Sequence, residues 1–296
     1  MSKALVNGVT IAYDDAGKGE NVLVLVHGHP FDRSMWRPQV EWISRDAERT
    51  ESSRKAAKPQ REERGTEPGS CRVIVPDLRG YGESSIVSGK TTLDVFARDI
   101  AGLLDYLGVA EVVIGGLSMG GQIVMEFCRN YPERVQGVLL AATISRAETE
   151  EGKRQRAAMA DRLLKEGMGP YAEEVLPKMV APRNLAALPG VGEHVCQMMH
   201  SAHPIGAAAA IRGRAERPDY GETLAGLDVP AVVVVGDEDA FTTRADAEQM
   251  SEFLKGSELV WMKGVGHMPN LERKTEFNAA VERLLGRSRY ALRDDR

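Results

Sequence analysis

Short apolar runs alternate along the chain with segments in which apolar residues recur at helical spacing. Six runs predict buried strands, at 21–26, 72–76, 112–114, 137–142, 231–235 and 258–262. A continuous apolar run is typical of a strand that is buried on both faces. Helical spacing predicts helices over 91–107, 122–130 and 272–285. Strands that alternate with helices indicate a mostly parallel sheet covered by helices on both sides.

The first 14 residues and two later segments depart from this alternation. Asn7-Gly8 separates two β-like runs and predicts a tight hairpin at the start of the chain. Residues 144–225 contain no convincing strand and are rich in Ala, Met, Leu, Glu and Arg, which predicts an inserted helical cap. Residues 45–70 carry almost no large apolar side chains, so they cannot bury enough surface to offset their ordering entropy. We therefore expect a core of residues 1–143 and 226–296 that carries a charged surface insertion.

Composition excludes several classes of partner. A net charge of −5 argues against nucleic-acid binding, which needs clustered positive charge. No apolar run approaches the roughly 18 residues of a membrane span, and the first residues do not resemble a secretion signal. The 3 cysteines are widely spaced, which favours reduced thiols in a cytoplasmic protein. The composition does not distinguish a monomer from a dimer.

The run at 112–114 leads into the pentapeptide Gly116-Leu117-Ser118-Met119-Gly120. In a G-x-S-x-G turn a strand passes sharply into a helix, and the serine hydroxyl projects from the apex. Side chains at the two glycine positions would collide with the neighbouring strand and helix. The alternative is a glycine-rich connection whose serine only caps the helix.

Candidate partners for this serine follow two later strands. Asp237 and Asp239 come directly after the run at 231–235, and His267 follows the run at 258–262. The carboxyl ends of parallel strands gather catalytic groups at one edge of the sheet. A serine nucleophile needs a base and a group that orients the base. Each residue taken alone could also be an ordinary turn or loop residue.

Five motifs together resemble the α/β-hydrolase superfamily, in the group with an H-G-x-P loop and a helical cap. They are HGHP (27–30), DLRGYGES (77–84), GLSMGG (116–121), GDED (236–239) and GHMPNLE (266–272). The resemblance implies an α/β-hydrolase fold, a mostly parallel eight-stranded sheet flanked by helices with an inserted cap. It covers nearly the whole chain except the charged insertion and the cap.

The resemblance also implies roles for individual residues. Ser118 is the expected nucleophile, His267 the general base and Asp239 the acid that orients it. Asp237 competes for this last role, but the family pattern places the acid three residues after the strand-end glycine.

The backbone N–H groups of His29 and Met119 are the expected oxyanion hole. Backbone donors suit this role because they are fixed before the charge develops. Apolar residues of the expected substrate pocket are Phe31, Phe241 and Met268. No cofactor is expected. A metal site at His27 and His29 is not expected either, because no third ligand stands at a suitable spacing.

A serine nucleophile indicates acyl transfer. The expected activity is hydrolysis of carboxylic esters or lactones of small to medium, largely apolar molecules. One alternative is a C–C bond hydrolase of ring-cleavage products, which keeps the same triad. Another is a cofactor-free lyase or a small-molecule receptor on the same fold.

Overall fold

The computed structural model describes residues 1–19, 21–44 and 71–294. These residues form an eight-stranded sheet in the order β1-β2-β4-β3-β5-β6-β7-β8. The strands are β1 (Ser2–Val6), β2 (Val9–Gly17), β3 (Asn21–Val26), β4 (Cys71–Pro76), β5 (Val112–Leu117), β6 (Val135–Ala141), β7 (Ala231–Gly236) and β8 (Glu258–Met262). The β1–β2 and β2–β4 pairs are antiparallel, and the remaining pairs are parallel. The predicted mostly parallel, eight-stranded sheet is confirmed.

The hairpin and the central strands follow from local sequence. Asn7 and Gly8 both have positive φ, 49° and 77°, as a two-residue turn between twisted strands requires. Every residue of β5 and of β7 is buried, in agreement with strands covered on both faces. β5 continues beyond the predicted 112–114 to Leu117, so the strand ends directly at Ser118.

Helices flank the sheet and fill the chain between β6 and β7. They are α1 (37–44), α2 (Leu93–Tyr106), α3 (Met119–Asn130), α4 (Glu150–Glu166), α5 (Gly169–Met179), α6 (Pro182–Ala187), α7 (Pro189–Ser201), α8 (Pro204–Arg214), α9 (Gly221–Ala225), α10 (Arg244–Phe253), α11 (Pro269–Glu272) and α12 (Lys274–Asp294). The helix expected over 272–285 is wrong at both ends. α11 ends at Glu272, Arg273 leaves helical geometry with ψ of 53°, and α12 runs on to Asp294.

The chain between β6 and β7, which the structure describes throughout, forms helices α4 to α9 and no strand. These helices contact the loops at the carboxyl edge of the sheet. The Thr91 N–H donates to the Ala209 carbonyl of α8 at 3.0 Å, and the His267 N–H donates to the Met179 carbonyl of α5 at 3.0 Å. The helical segment 144–225 therefore packs on the edge where the site residues lie.

The charged insertion expected at about 45–70 lies outside the described residues. The chain re-enters the sheet at Cys71, which pairs with Asn21 at the amino end of β3. This is the edge opposite to the loops that follow β5, β7 and β8. Within the residues that the structure describes, no helix combines the length and apolar character needed to cross a bilayer.

Candidate active site

Ser118 occupies a strained position between β5 and α3. Its backbone has φ of 57° and ψ of −118°, a region that residues with a side chain rarely adopt. The turn is fixed from two sides. The Ser118 N–H donates to the Ala141 carbonyl at 3.0 Å, and its carbonyl accepts from Thr143 Oγ1 at 2.7 Å. The serine side chain is therefore presented by a backbone that the core holds in place.

The two glycines of the motif allow this turn. A Cβ atom on Gly116 would lie 2.3 Å from the carbonyl carbon of Gly120. A Cβ atom on Gly120 would lie 2.2 Å from the Val26 carbonyl oxygen at the end of β3. Any side chain at either position would have to displace backbone. The expected collision with strand and helix is the reason for both glycines.

Asp239 and His267 meet at the ends of β7 and β8. Nδ1 of His267 lies 2.9 Å and 3.0 Å from the two carboxylate oxygens of Asp239. The Asp239 carboxylate also accepts from the N–H groups of Phe241 and Thr242, at 2.8 Å and 3.2 Å. Burial opposes ionisation of this carboxyl, but the His267 ring and the two N–H groups outweigh it. The pKa of Asp239 therefore lies below its usual value.

Asp237 lies elsewhere in the same turn. It is exposed, and its carboxylate accepts a hydrogen bond from the Gly264 N–H. The structure therefore brings Asp239, and not Asp237, to the histidine. Asp237 instead ties the turn after β7 to the turn after β8.

Two backbone N–H groups near Ser118 have no acceptor among the residues that the structure describes. They belong to Met119, the first residue of α3, and to His29, in the loop after β3. The two loops are in close contact, since a Cβ atom on Gly28 would lie 3.2 Å from Ser118 Cβ. Unpaired N–H groups beside a candidate nucleophile are suited to donate to an oxygen on which negative charge develops.

The imidazoles of His27 and His29 have different surroundings. Both ring nitrogens of buried His27 are engaged, because Nδ1 donates to the Gly28 carbonyl at 2.8 Å and Nε2 accepts from the Leu78 N–H at 3.0 Å. Nδ1 of His29 lies 2.7 Å from the Tyr81 hydroxyl. His27 therefore has no nitrogen left to bind a metal. In the described part of the chain, no three His, Cys, Asp or Glu side chains form a cluster that could hold a metal ion.

The predicted pocket residues differ in exposure. Phe31 and Met268 are fully buried, whereas Phe241 is 42% exposed. The Phe241 ring lies edge-on to the His267 ring, with 4.7 Å between the ring centroids. The structure thus brings together Asp239, His267 and Phe241. Within the described residues, the Ser118 hydroxyl has no hydrogen-bond partner, so its pairing with His267 stays a prediction.

Glu272 was not assigned a role from sequence, although it lies in the motif around His267. Its buried carboxylate accepts from the N–H groups of Gly266 and Met268, which flank the histidine. It also accepts from the Ala181 N–H at 3.0 Å and from Asn184 Nδ2 at 2.7 Å. Glu272 therefore ties the histidine loop to the helical segment. A glutamate five residues after the candidate base was the available signal.

We expect Glu272→Ala to destabilise the protein, because it leaves several buried donors without an acceptor. The expected loss is about 3 kcal/mol in the free energy of unfolding. Denaturant unfolding monitored by circular dichroism measures it. The matched control is Glu252→Ala, which removes an exposed carboxylate on α10 and should change the stability by less than about 0.5 kcal/mol. Equal effects of the two substitutions would contradict the role given to Glu272.

Comparisons with known proteins agree with this architecture. Residues 23–280 match the model of the alpha/beta hydrolase family. A solved thermophilic esterase from Thermogutta terrifontis, with malate bound, is 34% identical with a TM-score of 0.85, and the match covers 97% of this chain and 98% of that one.

Curated relatives are more distant. 3-Oxoadipate enol-lactonase 2 of Acinetobacter baylyi is 28% identical over 215 residues, which are 73% of this chain and 79% of the relative. A 2-hydroxy-6-oxononadienedioate/2-hydroxy-6-oxononatrienedioate hydrolase of Burkholderia vietnamiensis is 26% identical over 94% of this chain and 91% of the relative. Because the family model spans most of the sequence and the sheet has eight mostly parallel strands as expected, this chain belongs to the alpha/beta hydrolase family.

Proposed function

We propose that the protein is a serine hydrolase that cleaves carboxylic esters or lactones through an acyl-enzyme. The observation that carries this proposal is the buried Asp239–His267 pair, at the same edge of the sheet as the strained Ser118. An aspartate that holds Nδ1 of a histidine leaves Nε2 free to accept a proton. The Ser118 hydroxyl is the nucleophile that such a base would activate.

The proposed reaction has two halves. Nε2 of His267 removes the proton from Ser118 Oγ as this oxygen attacks the substrate carbonyl. The N–H groups of His29 and Met119 donate to the resulting oxyanion. The imidazolium then protonates the leaving alkoxide, and the acyl group stays on the serine. In the second half, a water gives its proton to His267 as it attacks the acyl carbonyl. The imidazolium then returns this proton to Ser118 Oγ as the bond between Oγ and the acyl carbon breaks and the acid leaves.

We further propose that residues 144–225 form a cap over a core of residues 1–143 and 226–296. Hydrogen bonds from this segment to the loops after β4 and β8 support the assignment. A cap over the site would admit small to medium molecules, and Phe241 would contact them beside His267. The 3 widely spaced cysteines favour a cytoplasmic location. We expect a small-molecule substrate and neither a nucleic-acid partner nor a required cofactor.

C–C bond hydrolysis stays open as an alternative, because one relative is named as a 2-hydroxy-6-oxononadienedioate/2-hydroxy-6-oxononatrienedioate hydrolase. The same triad serves both reactions. A lyase or a receptor on this fold would differ from both hydrolases, because a lyase or a receptor does not hydrolyse a bound ester.

A substrate panel combined with active-site labelling tests the proposal. The panel contains p-nitrophenyl esters of graded length, lactones and a dienoate ring-cleavage product. We expect turnover of esters or lactones, and mass spectrometry should locate an organophosphonate adduct on the peptide with Ser118. Turnover of the dienoate alone would favour the C–C hydrolase. Labelling of Ser118 without any turnover would favour the lyase or receptor, and labelling at another residue would overturn the serine mechanism.

A further inference from the structure

Arg214, at the end of α8, is a partly buried cation that has no anionic partner in the part of the chain that the structure describes. Its Nε donates to Oε1 of Gln122 at 2.8 Å. Among the described residues, no carboxylate lies within ion-pair distance of its guanidinium. A charge that is withdrawn from water without a counter-charge is costly. The position therefore calls for an anion that the described protein does not supply.

The surrounding charges strengthen this argument. Of the charged groups that act on Arg214, the anionic one is Glu148, and this carboxylate already accepts from both Arg156 and Arg217. Arg156 and Arg217 thus share one carboxylate, and Arg214 adds a further positive charge near them. Burial lowers the pKa of the Arg214 guanidinium, and the neighbouring arginines lower it further. An anion beside Arg214 would offset the neighbouring positive charges and raise the pKa of its guanidinium.

Gln122, which contacts Arg214, and His29, whose pKa the charge of Arg214 lowers, each carry a side-chain nitrogen that lacks a partner within the described residues. Nε2 of fully buried Gln122 has no hydrogen-bond partner among the described residues, although Oε1 of the same amide accepts from the arginine. Nε2 of buried His29 likewise has none among the residues that the structure describes. Burial and the positive charges of Arg214 and Arg156 keep the His29 pKa well below its usual value, so the ring is neutral. In the tautomer in which the Tyr81 hydroxyl donates to Nδ1, Nε2 of His29 carries a hydrogen that it can donate.

These groups lie beside the proposed nucleophile. Gln122 is one turn into α3, and its N–H donates to the Ser118 carbonyl at 3.2 Å. His29 supplies one of the proposed oxyanion donors through its backbone. α8 is held close to the sheet, because a Cβ atom on Gly206 would lie 2.0 Å from the Gly80 carbonyl oxygen. The Arg214 side chain reaches α3 through its hydrogen bond to Gln122, one turn beyond Ser118.

We propose that Arg214, together with Nε2 of Gln122 and Nε2 of His29, binds a free carboxylate of the substrate. The substrates are then esters or lactones that carry a second, ionised carboxyl group on an otherwise apolar frame. A guanidinium binds the two oxygens of a carboxylate in parallel, and amide and imidazole N–H groups complete the set of donors. This inference rests on the proposed ester or lactone hydrolysis and specifies its substrate class.

A pair of isosteric esters tests the charge preference. Mono-p-nitrophenyl glutarate carries the carboxylate, and p-nitrophenyl 5-methylhexanoate replaces that carboxylate with an isopropyl group. We expect a higher kcat/KM for the glutarate ester. Arg214→Gln should lower the ratio of the two kcat/KM values by about 10- to 100-fold, the range for hydrogen bonds to a charged group. Arg212→Gln is the matched control, because Arg212 lies on the same helix and pairs with the exposed Asp161. It should leave both values unchanged.

Calorimetry provides a readout that does not depend on turnover. Glutarate should bind to the Ser118→Ala protein, and adding Arg214→Gln should raise its Kd by about 10- to 100-fold. Equal kcat/KM for the two esters, together with glutarate binding that Arg214→Gln does not change, would overturn the carboxylate site and leave the serine mechanism intact. Tighter binding of inorganic phosphate than of glutarate would also overturn it. If neither ester is hydrolysed, the proposed function fails, and the binding measurement still decides the carboxylate site.

Discussion

Replacing Ser118 with alanine is expected to lower ester hydrolysis by about 10⁴-fold or more, because it removes the proposed nucleophile. The fold should survive, since alanine keeps a Cβ at the same backbone position and loses only a hydroxyl that has no partner among the described residues. Measurement of kcat/KM with a p-nitrophenyl ester, together with thermal unfolding, separates lost chemistry from lost structure.

His267→Ala should cause a similar loss, and the double variant should be little worse than either single one. Nucleophile and base act as a unit, so their losses do not add. The matched control is His200→Ala, which removes an exposed histidine on α7 and should leave turnover within a few-fold. Undiminished hydrolysis by folded Ser118→Ala protein would rule out the acyl-enzyme mechanism.

Asp239→Asn is expected to lower kcat by about 10³- to 10⁴-fold. The asparagine amide would donate to Nδ1 of His267, so the ring would carry its hydrogen on Nε2 and could not accept the serine proton. Folding should be little affected, because the asparagine oxygen can still accept from the N–H groups of Phe241 and Thr242. Steady-state kinetics with the same ester, on the variant and the original protein under conditions in which both are folded, measures the effect.

Asp237→Asn is the internal control for this substitution. The same chemical change is made two residues away, and the new amide oxygen can still accept from the Gly264 N–H. Turnover should stay within a few-fold of the original protein. If the two aspartates prove equally important, or if Asp237 is the more sensitive one, the acid has been assigned to the wrong position.

Local sequence was sufficient for most of the fold. The strands and the hairpin at Asn7-Gly8 could be predicted because a run of apolar residues or a turn dipeptide decides the backbone within a few residues. The prediction was less accurate at the end of the chain. The break between α11 and α12 at Arg273 was not visible in the apolar spacing.

The candidate site residues could be named from sequence, and the family resemblance favoured Asp239 over Asp237. Ser118, Asp239 and His267 could be named because each directly follows a strand or sits in a motif. The structure then placed Asp239 against His267 at 2.9 Å and Asp237 elsewhere. The two aspartates are nearly equivalent in sequence, and the turn after β7 separates them.

The sequence by itself determined the order of strands and helices, the elbow at Ser118 and the residues that follow each strand. Only the tertiary structure decided which groups share one environment. Arg214 meets Gln122 from 92 positions away, and Glu272 meets Ala181 from 91 positions away. Backbone turns depend on neighbours along the chain. Burial, charge balance and unpartnered donors depend on contacts through space, which no local pattern records.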